Sequence, residues 1–363
     1  MSINTPITAA VLARAKWAFS TRRVPHERAC LLDGRLSNAV SGDLVLGRIQ
    51  SLGSHKRIQL AQGRVSELYL DDLVVLGCGD RYASDQFEGI AEIDPRGADM
   101  LAGGGVIGRM RERNARMSAP TRITPLGLLC DADGAVINVA DHALAPAPRP
   151  DGMTVVGVVG AAMNSGKTTA AAAFAHGLTR AGHEVAALKA TGTGAFGDFN
   201  AYLDAGVRHV ADFTDVGMIA TYRQPLARIE SGLDTLLADA AARGAEIAVV
   251  ELADGVFQKE TAALLRNLDV RSAFTGFVFA APDALAAAGG CAALRGMGIE
   301  PAILTGMLSR SPLGVREAEE ATGVRVITRE ALCDPAQANA LMARMVAAAR
   351  RPFAAVGGIG LAA

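Results

Sequence analysis

Residues 160–169 read Gly-Ala-Ala-Met-Asn-Ser-Gly-Lys-Thr-Thr, after an apolar run at 155–159 and before an alanine-rich helical stretch at 169–178. Few folds accommodate that order. A strand that enters a glycine turn and leaves as a helix aims several backbone N–H groups, and the positive end of a helix dipole, at one point. Such a point binds an anion. Lys167 is spaced to reach the outer phosphates of a nucleotide, and Thr168 to offer its hydroxyl to Mg²⁺. Gly160, Asn164, Ser165 and Gly166 complete the cradle, and Thr169 either joins it or simply starts the helix. The expected ligands are therefore a nucleoside triphosphate, ATP or GTP, and Mg²⁺.

The loop spacing narrows this further. Five residues separate Gly160 from Gly166, one more than the usual phosphate loop, giving G-x5-G-K-T. Two later segments end predicted strands in the same way: Ala186-Ala187-Leu188-Lys189-Ala190-Thr191-Gly192, and Ala248-Val249-Val250-Glu251-Leu252-Ala253-Asp254-Gly255. Together the three resemble the family of dethiobiotin synthetase and the cobyrinate amidases, over about residues 153–350. The resemblance implies a P-loop α/β domain in which Lys189 lies beside the phosphates and Glu251 binds Mg²⁺. The family expects glycine near Asp254, so a carboxylate there is a departure that supplies a metal or substrate contact or a turn residue. Around 305–312 the family places its base pocket and often carries asparagine where Ser309 falls, which leaves adenine and guanine both open.

Elsewhere the chain divides by pattern. Residues 7–20 read as an amphipathic helix within a lead-in that runs to 40. Residues 41–143 show short alternating runs and glycine turns, including an Asp133-Gly134 hairpin signal, and predict a small, mostly β domain, with a closed barrel as one form it can take. A proline-rich stretch at 144–152 predicts a stiff linker. From 153 to 363 strands and helices alternate. Strands are expected at 154–159, 185–189, 246–251, 275–280, 301–305 and 324–327. Helices are expected at 168–181, 199–206, 228–243, 259–267, 284–296, 314–322 and 335–350. Nearly continuous apolar strands argue a parallel sheet covered on both faces, with ligands at the strand carboxyl ends. The fold class expected is thus a parallel-sheet P-loop α/β domain preceded by a small β domain.

Composition sets limits on function. Net charge is −1, so no overall field draws the chain to nucleic acid or an anionic membrane. Five scattered cysteines and six scattered histidines lack metal-ligand spacing and suit free thiols in a reducing cytoplasm. The start lacks the basic and apolar stretches of a signal peptide, and the longest apolar run, 277–294, is broken by Pro282, Asp283 and a glycine pair. Only five of the 36 basic residues are lysines, and two of those, Lys167 and Lys189, fall in the motifs above.

Further candidates follow from residue type. Lys189 at a strand end would be costly to bury unpaired, so a phosphate or substrate carboxylate is its natural partner. Thr191 and Thr193 stand in a hydroxyl-rich loop where the resemblance implies an acceptor substrate. Asp198 either joins Mg²⁺ or a substrate amine, or caps the helix expected to begin at 199. Tyr222 beside Arg223 suggests an anion contact through the planar guanidinium, with a plain surface loop as the other reading. The segments 81–87 and 103–105 read as glycine and polar turns.

Taken with the resemblance, these residues imply a Mg²⁺- and ATP-dependent enzyme that phosphorylates a small carboxylate for ligation or ring closure. Lys167, Lys189 and Glu251 would be catalytic, Thr168, Glu251 and Asp198 would hold the metal, and Thr191, Thr193, Tyr222, Arg223 and Asp254 would meet the substrate. Relatives often complete that site across a homodimer. Other readings are a GTP-binding adaptor like the protein of molybdopterin-guanine dinucleotide synthesis, a small-molecule kinase, and an acyl-CoA-dependent transferase related to D-glutamate N-acetyltransferases.

Overall fold

The computed structural model describes residues 4–350; residues 351–363, expected to belong to the C-terminal domain, lie outside them. Two sheets organise the chain. The first contains β1 (Asn4–Pro6), β2 (Lys16–Trp17), β3 (Leu31–Asp33), β4 (Leu44–Ser51), β7 (Leu73–Cys78), β8 (Phe87–Ile90), β9 (Ala98–Ala102), β10 (Val106–Arg113) and β11 (Thr121–Cys130), with β5 (Arg57–Gln59) and β6 (Val65–Glu67) as a separate hairpin. Pairings β4–β11, β11–β9, β9–β10, β10–β7 and β7–β4 close a ring. Closure leaves those five strands paired on both sides, while β1 and β8 remain at the sheet's ends. Alternate residues point inward, so Ile49, Leu76, Met100, Ile107 and Ile123 share one core.

The N-terminal segment differs from expectation. Helix α1 covers only Ala9–Arg14, and Trp17 leaves it to pair beside Val75. Trp17 and Phe19 are both buried two residues apart, which fits an extended chain and not a helical turn. β1 and β3 extend the same sheet beyond β11, so residues before 41 are part of it.

The second sheet is six-stranded and wholly parallel, in the order β14 (His209–Asp212), β13 (Val185–Thr191), β15 (Ile247–Leu252), β12 (Thr154–Gly160), β16 (Gly276–Ala280) and β17 (Ile303–Thr305). Helices cover both faces. On one face lie α2 (Lys167–Arg180), α3 (Phe196–Asp204), α9 (Arg329–Cys333) and α10 (Pro335–Ala349). On the other lie α4 (Leu226–Ala242), α5 (Lys259–Arg266), α6 (Leu268–Ser272), α7 (Ala284–Gly296) and α8 (Pro312–Thr322). Val156 and Val158 of β12 enter the first layer, and Val155 and Val159 the second. Each such fully buried side chain stabilises the fold by about 1.5–3 kcal/mol relative to exposure. Because β15 lies between β12 and β13, the chain reverses direction beside β12, and a crevice opens at that point outside the strand carboxyl ends.

Several details depart from the sequence reading, α9 among them, which was not expected. β14 was not expected, because only Val210 and Ala211 of its four residues are apolar. The strand expected at 324–327 is a single bridge from Val326 to Leu304. The helix expected at 259–267 breaks at Asn267, whose side chain caps α6. Among the described residues, no helix is long and apolar enough to cross a membrane.

The two sheets are tightly docked. Arg22 donates to Asp212 and Asp215 and lies over the rings of Phe19 and Phe199. Ile219 enters the core of the first sheet, and residues 144–149 lie against the second through Leu144, Ala147 and Arg149. Closest of all is Gly104, where a Cβ would stand 1.9 Å from the Gly194 carbonyl oxygen. Gly104→Ala is therefore expected to cost about 1–3 kcal/mol of stability by overpacking. At Gly103 the nearest atom would be 3.7 Å away, so Gly103→Ala should be near neutral. Urea unfolding of both variants tests the contrast, and equal midpoints would mean that the sheets separate at little cost.

Candidate functional site

The loop between β12 and α2 is shaped by two constraints. A Cβ on Gly160 would lie 2.3 Å from Ser165 Oγ and 2.7 Å from Lys167 Cγ, so only glycine lets the loop fold back over the strand end. Asn164 and Gly166 take left-handed backbone angles, which curl the chain into the first turn of α2. Among the described residues, no protein acceptor takes the N–H groups of residues 162–166. Ser165 is buried and its hydroxyl has no partner. A curl of free amides and one orphaned hydroxyl at a helix N-terminus suits an anion.

Lys167 opens the helix and is 6% exposed. Its Nζ donates to the carbonyls of Ala162, at 2.8 Å, and Asp254. Burial holds its pKa below the ordinary lysine value, against the pull of Glu251 and Asp254. Lys167 has no carboxylate within ion-pairing distance among the described residues, and an arriving anion would supply the missing charge.

Three strand ends converge beside it. Thr168 Oγ1 lies 3.0 Å from Asp198 Oδ1 and 2.9 Å from Glu251 Oε2. Lys189 Nζ bonds Asp198 Oδ2 and stands 3.6 Å from Glu251 Oε1. Tyr202, from α3, donates its hydroxyl to Glu251, which is 1% exposed. Burial alone would lower the Lys189 pKa, but Glu251 and Asp198 override it and hold the ammonium above its ordinary value. Lys189 in turn holds the Asp198 carboxyl down despite its burial. Asp254 goes the other way, raised by burial against the pull of Lys167 and Lys189.

Asp198 does not cap a helix. α3 begins at Phe196, three residues before the expected start, and its N-cap position, Ala195, makes no side-chain bond. That shift puts Asp198 in the first turn, with its carboxylate turned to Thr168 and Lys189. The donor set is then two carboxylates and a hydroxyl. All are hard oxygens, and one hydroxyl proton cannot serve both carboxylates at once. Such a set suits Mg²⁺, which is commonly held by one or two carboxylates plus substrate phosphates and water. Among the described residues no cluster of three or more His, Cys, Asp or Glu side chains offers an all-protein cage.

Three adjoining cavities run past these residues. One of about 430 Å³ lies over α2 between Gly306, Ser309, Arg310 and Arg329. It shares Gly166, Thr169 and Met307 with a second of about 500 Å³, which contains Lys167, Thr168, Lys189, Asp198, Glu251 and Asp254. The second shares Met163, Lys189, Asp198 and Asp254 with a third of about 480 Å³, walled on its far side by the first sheet. Thr193 faces this third cavity.

Other expected substrate residues are placed elsewhere. Thr191 is buried and donates to the Ala253 carbonyl at 2.5 Å, and it lines none of the three cavities. Tyr222 donates to Glu88 at 3.1 Å and faces a separate cavity of about 270 Å³ beside Tyr82. The Arg223 amide bonds Glu260 at 3.0 Å, and its guanidinium lies 3.8 Å from Asp80. Tyr222 and Arg223 thus fasten the 212–225 connection to its surroundings. Their adjacency in sequence carried no information about which surface they would meet.

The sequence suggests that the β domain shapes or covers an acceptor site, but it points to none of the residues that would do so. His55, Lys56, Arg57, Gln59, Arg81 and Gln86 all face the third cavity. Asn164 of the glycine loop bonds Asp85 at 2.9 Å. The available signals were Lys56, one of few lysines, and the polar density of 81–87.

His55 makes a test of this wall. Burial, reinforced by the charge of Arg81, pulls it down to about 4. An unfolded imidazole binds its proton near pH 6.5, so between 6.5 and 4 the unfolded chain takes up a proton that the folded chain refuses. Stability should fall over that window. His55→Gln is expected to reduce the loss between pH 7 and 4.5 by about 2 kcal/mol relative to wild type. Urea unfolding at both pH values measures it, and identical losses would place the imidazole in a solvated setting.

No protein-family model matches the chain, and no curated protein is significantly similar to it.

Proposed function

We propose that this chain is a Mg²⁺- and ATP-dependent enzyme that phosphorylates a small carboxylate, on a P-loop fold resembling dethiobiotin synthetase. The observation that carries the reading is the row of adjoining cavities. A nucleotide base would occupy the first, its phosphates the second, and the acceptor the third. Lys189, Asp198 and Asp254 border both the second and third, where a γ-phosphate and an acceptor carboxylate would meet.

In the reaction proposed, a carboxylate oxygen of the acceptor attacks the γ-phosphorus, the bond to the β-phosphate oxygen breaks, and ADP leaves. The product is an acyl phosphate, which a nitrogen nucleophile then captures with release of phosphate. Phosphoryl transfer relies mainly on positioning and charge neutralisation. Lys167 and the amides of 162–166 would hold the phosphates, and Lys189 would bring the acceptor carboxylate alongside. Thr168, Asp198 and Glu251 would hold Mg²⁺, which neutralises charge on the phosphate oxygens when bound.

Calorimetric titration with ATP, GTP and acetyl-CoA, each with and without Mg²⁺, tests this. Mg²⁺-dependent ATP binding is the expected result. A preference for GTP without turnover would favour the adaptor, and acetyl-CoA binding alone would replace phosphorylation with acyl transfer.

A further inference from the structure

The third cavity has an unusual charge balance on its outer wall. Lys56 and Arg57 line it from the β5–β6 hairpin and Arg81 from the segment after β7, and among the described residues no carboxylate lies within ion-pairing distance of any of them. On the inner side Asp198 is already paired with Lys189, and Asp254 also lines the cavity with no cation within ion-pairing distance among the described residues. Lys56 and Arg57 are exposed and can be neutralised by solvent ions. Arg81 is 5% exposed and cannot.

Arg81 is fixed in place. One terminal nitrogen donates to the Leu101 carbonyl and the other to Gln86 Oε1 at 2.9 Å, while its buried Nε–H has no partner at all. Burial pulls the guanidinium down to about 10, although Asp85 and Asp254 act in the opposite sense. A buried cation with an unmatched donor is costly unless something else completes it. A guanidinium presents parallel N–H groups that match a carboxylate. Its setting also links it to the glycine loop, because segment 81–86 carries both Arg81 with its partner Gln86 and the Asp85 that holds Asn164.

We infer that the third cavity binds a dicarboxylate, one carboxylate held on Arg81 with Lys56 and Arg57 adding to the field, and the other directed toward Lys189. Assigning this molecule as the acceptor rests on the proposed function, but the binding itself does not. A cavity of about 480 Å³ suits a metabolite-sized ligand.

The test uses the full chain without nucleotide. Succinate, glutarate, adipate and pimelate are compared with the monocarboxylates of equal length, from butyrate to heptanoate, by concentration-dependent thermal shift. At least one diacid is expected to bind tenfold or more tightly than its monoacid, and Arg81→Gln should reduce that preference to less than threefold. Equal affinity of diacids and monoacids in the wild type, or a preference that survives in folded Arg81→Gln, would overturn the inference. If Arg81→Gln does not fold, the exposed pair Lys56→Ala and Arg57→Ala replaces it. A preference weakened at least threefold in that double variant supports the site, and an unchanged one overturns it. Mg²⁺-ATP binding measured separately on the wild type keeps the two proposals apart: no diacid preference with ATP binding intact sinks this one alone, and a diacid preference without ATP binding sinks only the proposed function.

Discussion

Lys167→Ala is expected to weaken Mg²⁺-ATP binding by one to two orders of magnitude while leaving the fold as stable as the wild type to within about 1 kcal/mol. The two halves of that result have separate causes. A hydrogen bond from a charged donor contributes about 1.5–3 kcal/mol, and Lys167, held here by two backbone carbonyls, would gain such bonds from the phosphates proposed for the loop. Loss of turnover should be larger, about 10²-fold or more, because a donor aimed at charge developing in the transition state acts on the barrier itself. Stability behaves differently. The pKa of Lys167 is held below its ordinary value by burial, so folding disfavours its charged form at neutral pH. Alanine removes that cost along with two bonds to backbone carbonyls, and the terms offset one another. Titration calorimetry and urea unfolding on the same preparation decide it. A variant that binds ATP normally would end the phosphate-loop reading. One that loses both ATP binding and several kcal/mol would mean that Lys167 is a structural residue.

The chain made most of its second sheet legible because every strand there except β14 is an apolar run with a helix after it, and burial on both faces leaves little else for such runs to do. Residue 154 starts β12, residue 185 starts β13, and residues 284–296 form α7 as expected. Glu251 and Lys189 were readable for the same reason, since a charged residue ending a buried strand has to be satisfied locally. Short elements were not readable. β14 and α9 have too few apolar positions to show a period, and they form because neighbours cover them. The wall of the third cavity was hidden for a different reason. Arg81 lies more than a hundred residues from Lys189, and only the docking of the two sheets, through Gly104 on Gly194 and Gln59 on Phe196, brings them to one space. Tyr222 and Arg223 show the converse, because residue types suited to a ligand serve equally well to hold a loop.

Glu251 should show the largest effect on stability. It is buried between three donors: Tyr202, Thr168 and the Lys189 ammonium. Glu251→Ala removes the acceptor for a buried phenol and leaves Lys189 with Asp198 alone. Breaking a buried ion pair from one side typically costs about 3–5 kcal/mol, because the remaining charge keeps its desolvation penalty. Glu251→Gln keeps an oxygen for Tyr202 and the side-chain volume, so its cost should be nearer 1–3 kcal/mol. The pH dependence follows from Lys189, whose folded-state pKa is held above its ordinary 10.5. That contribution is complete below about 10.5 and is lost only as pH rises through the higher folded value. The gap between wild type and Glu251→Ala should therefore stay constant across pH 6 to 9 and narrow only above that range, the sign opposite to that of a depressed carboxylate. Both variants would lose a charged oxygen proposed to hold Mg²⁺, so Mg²⁺ should no longer improve nucleotide binding in either. Urea unfolding at pH 6 and 9, with calorimetry in the presence and absence of Mg²⁺, separates the two roles. If Glu251→Gln unfolds at the wild-type midpoint, the buried cluster contributes nothing through its charge. If Glu251→Gln keeps a full Mg²⁺ effect, the metal is held by Thr168 and Asp198 without it.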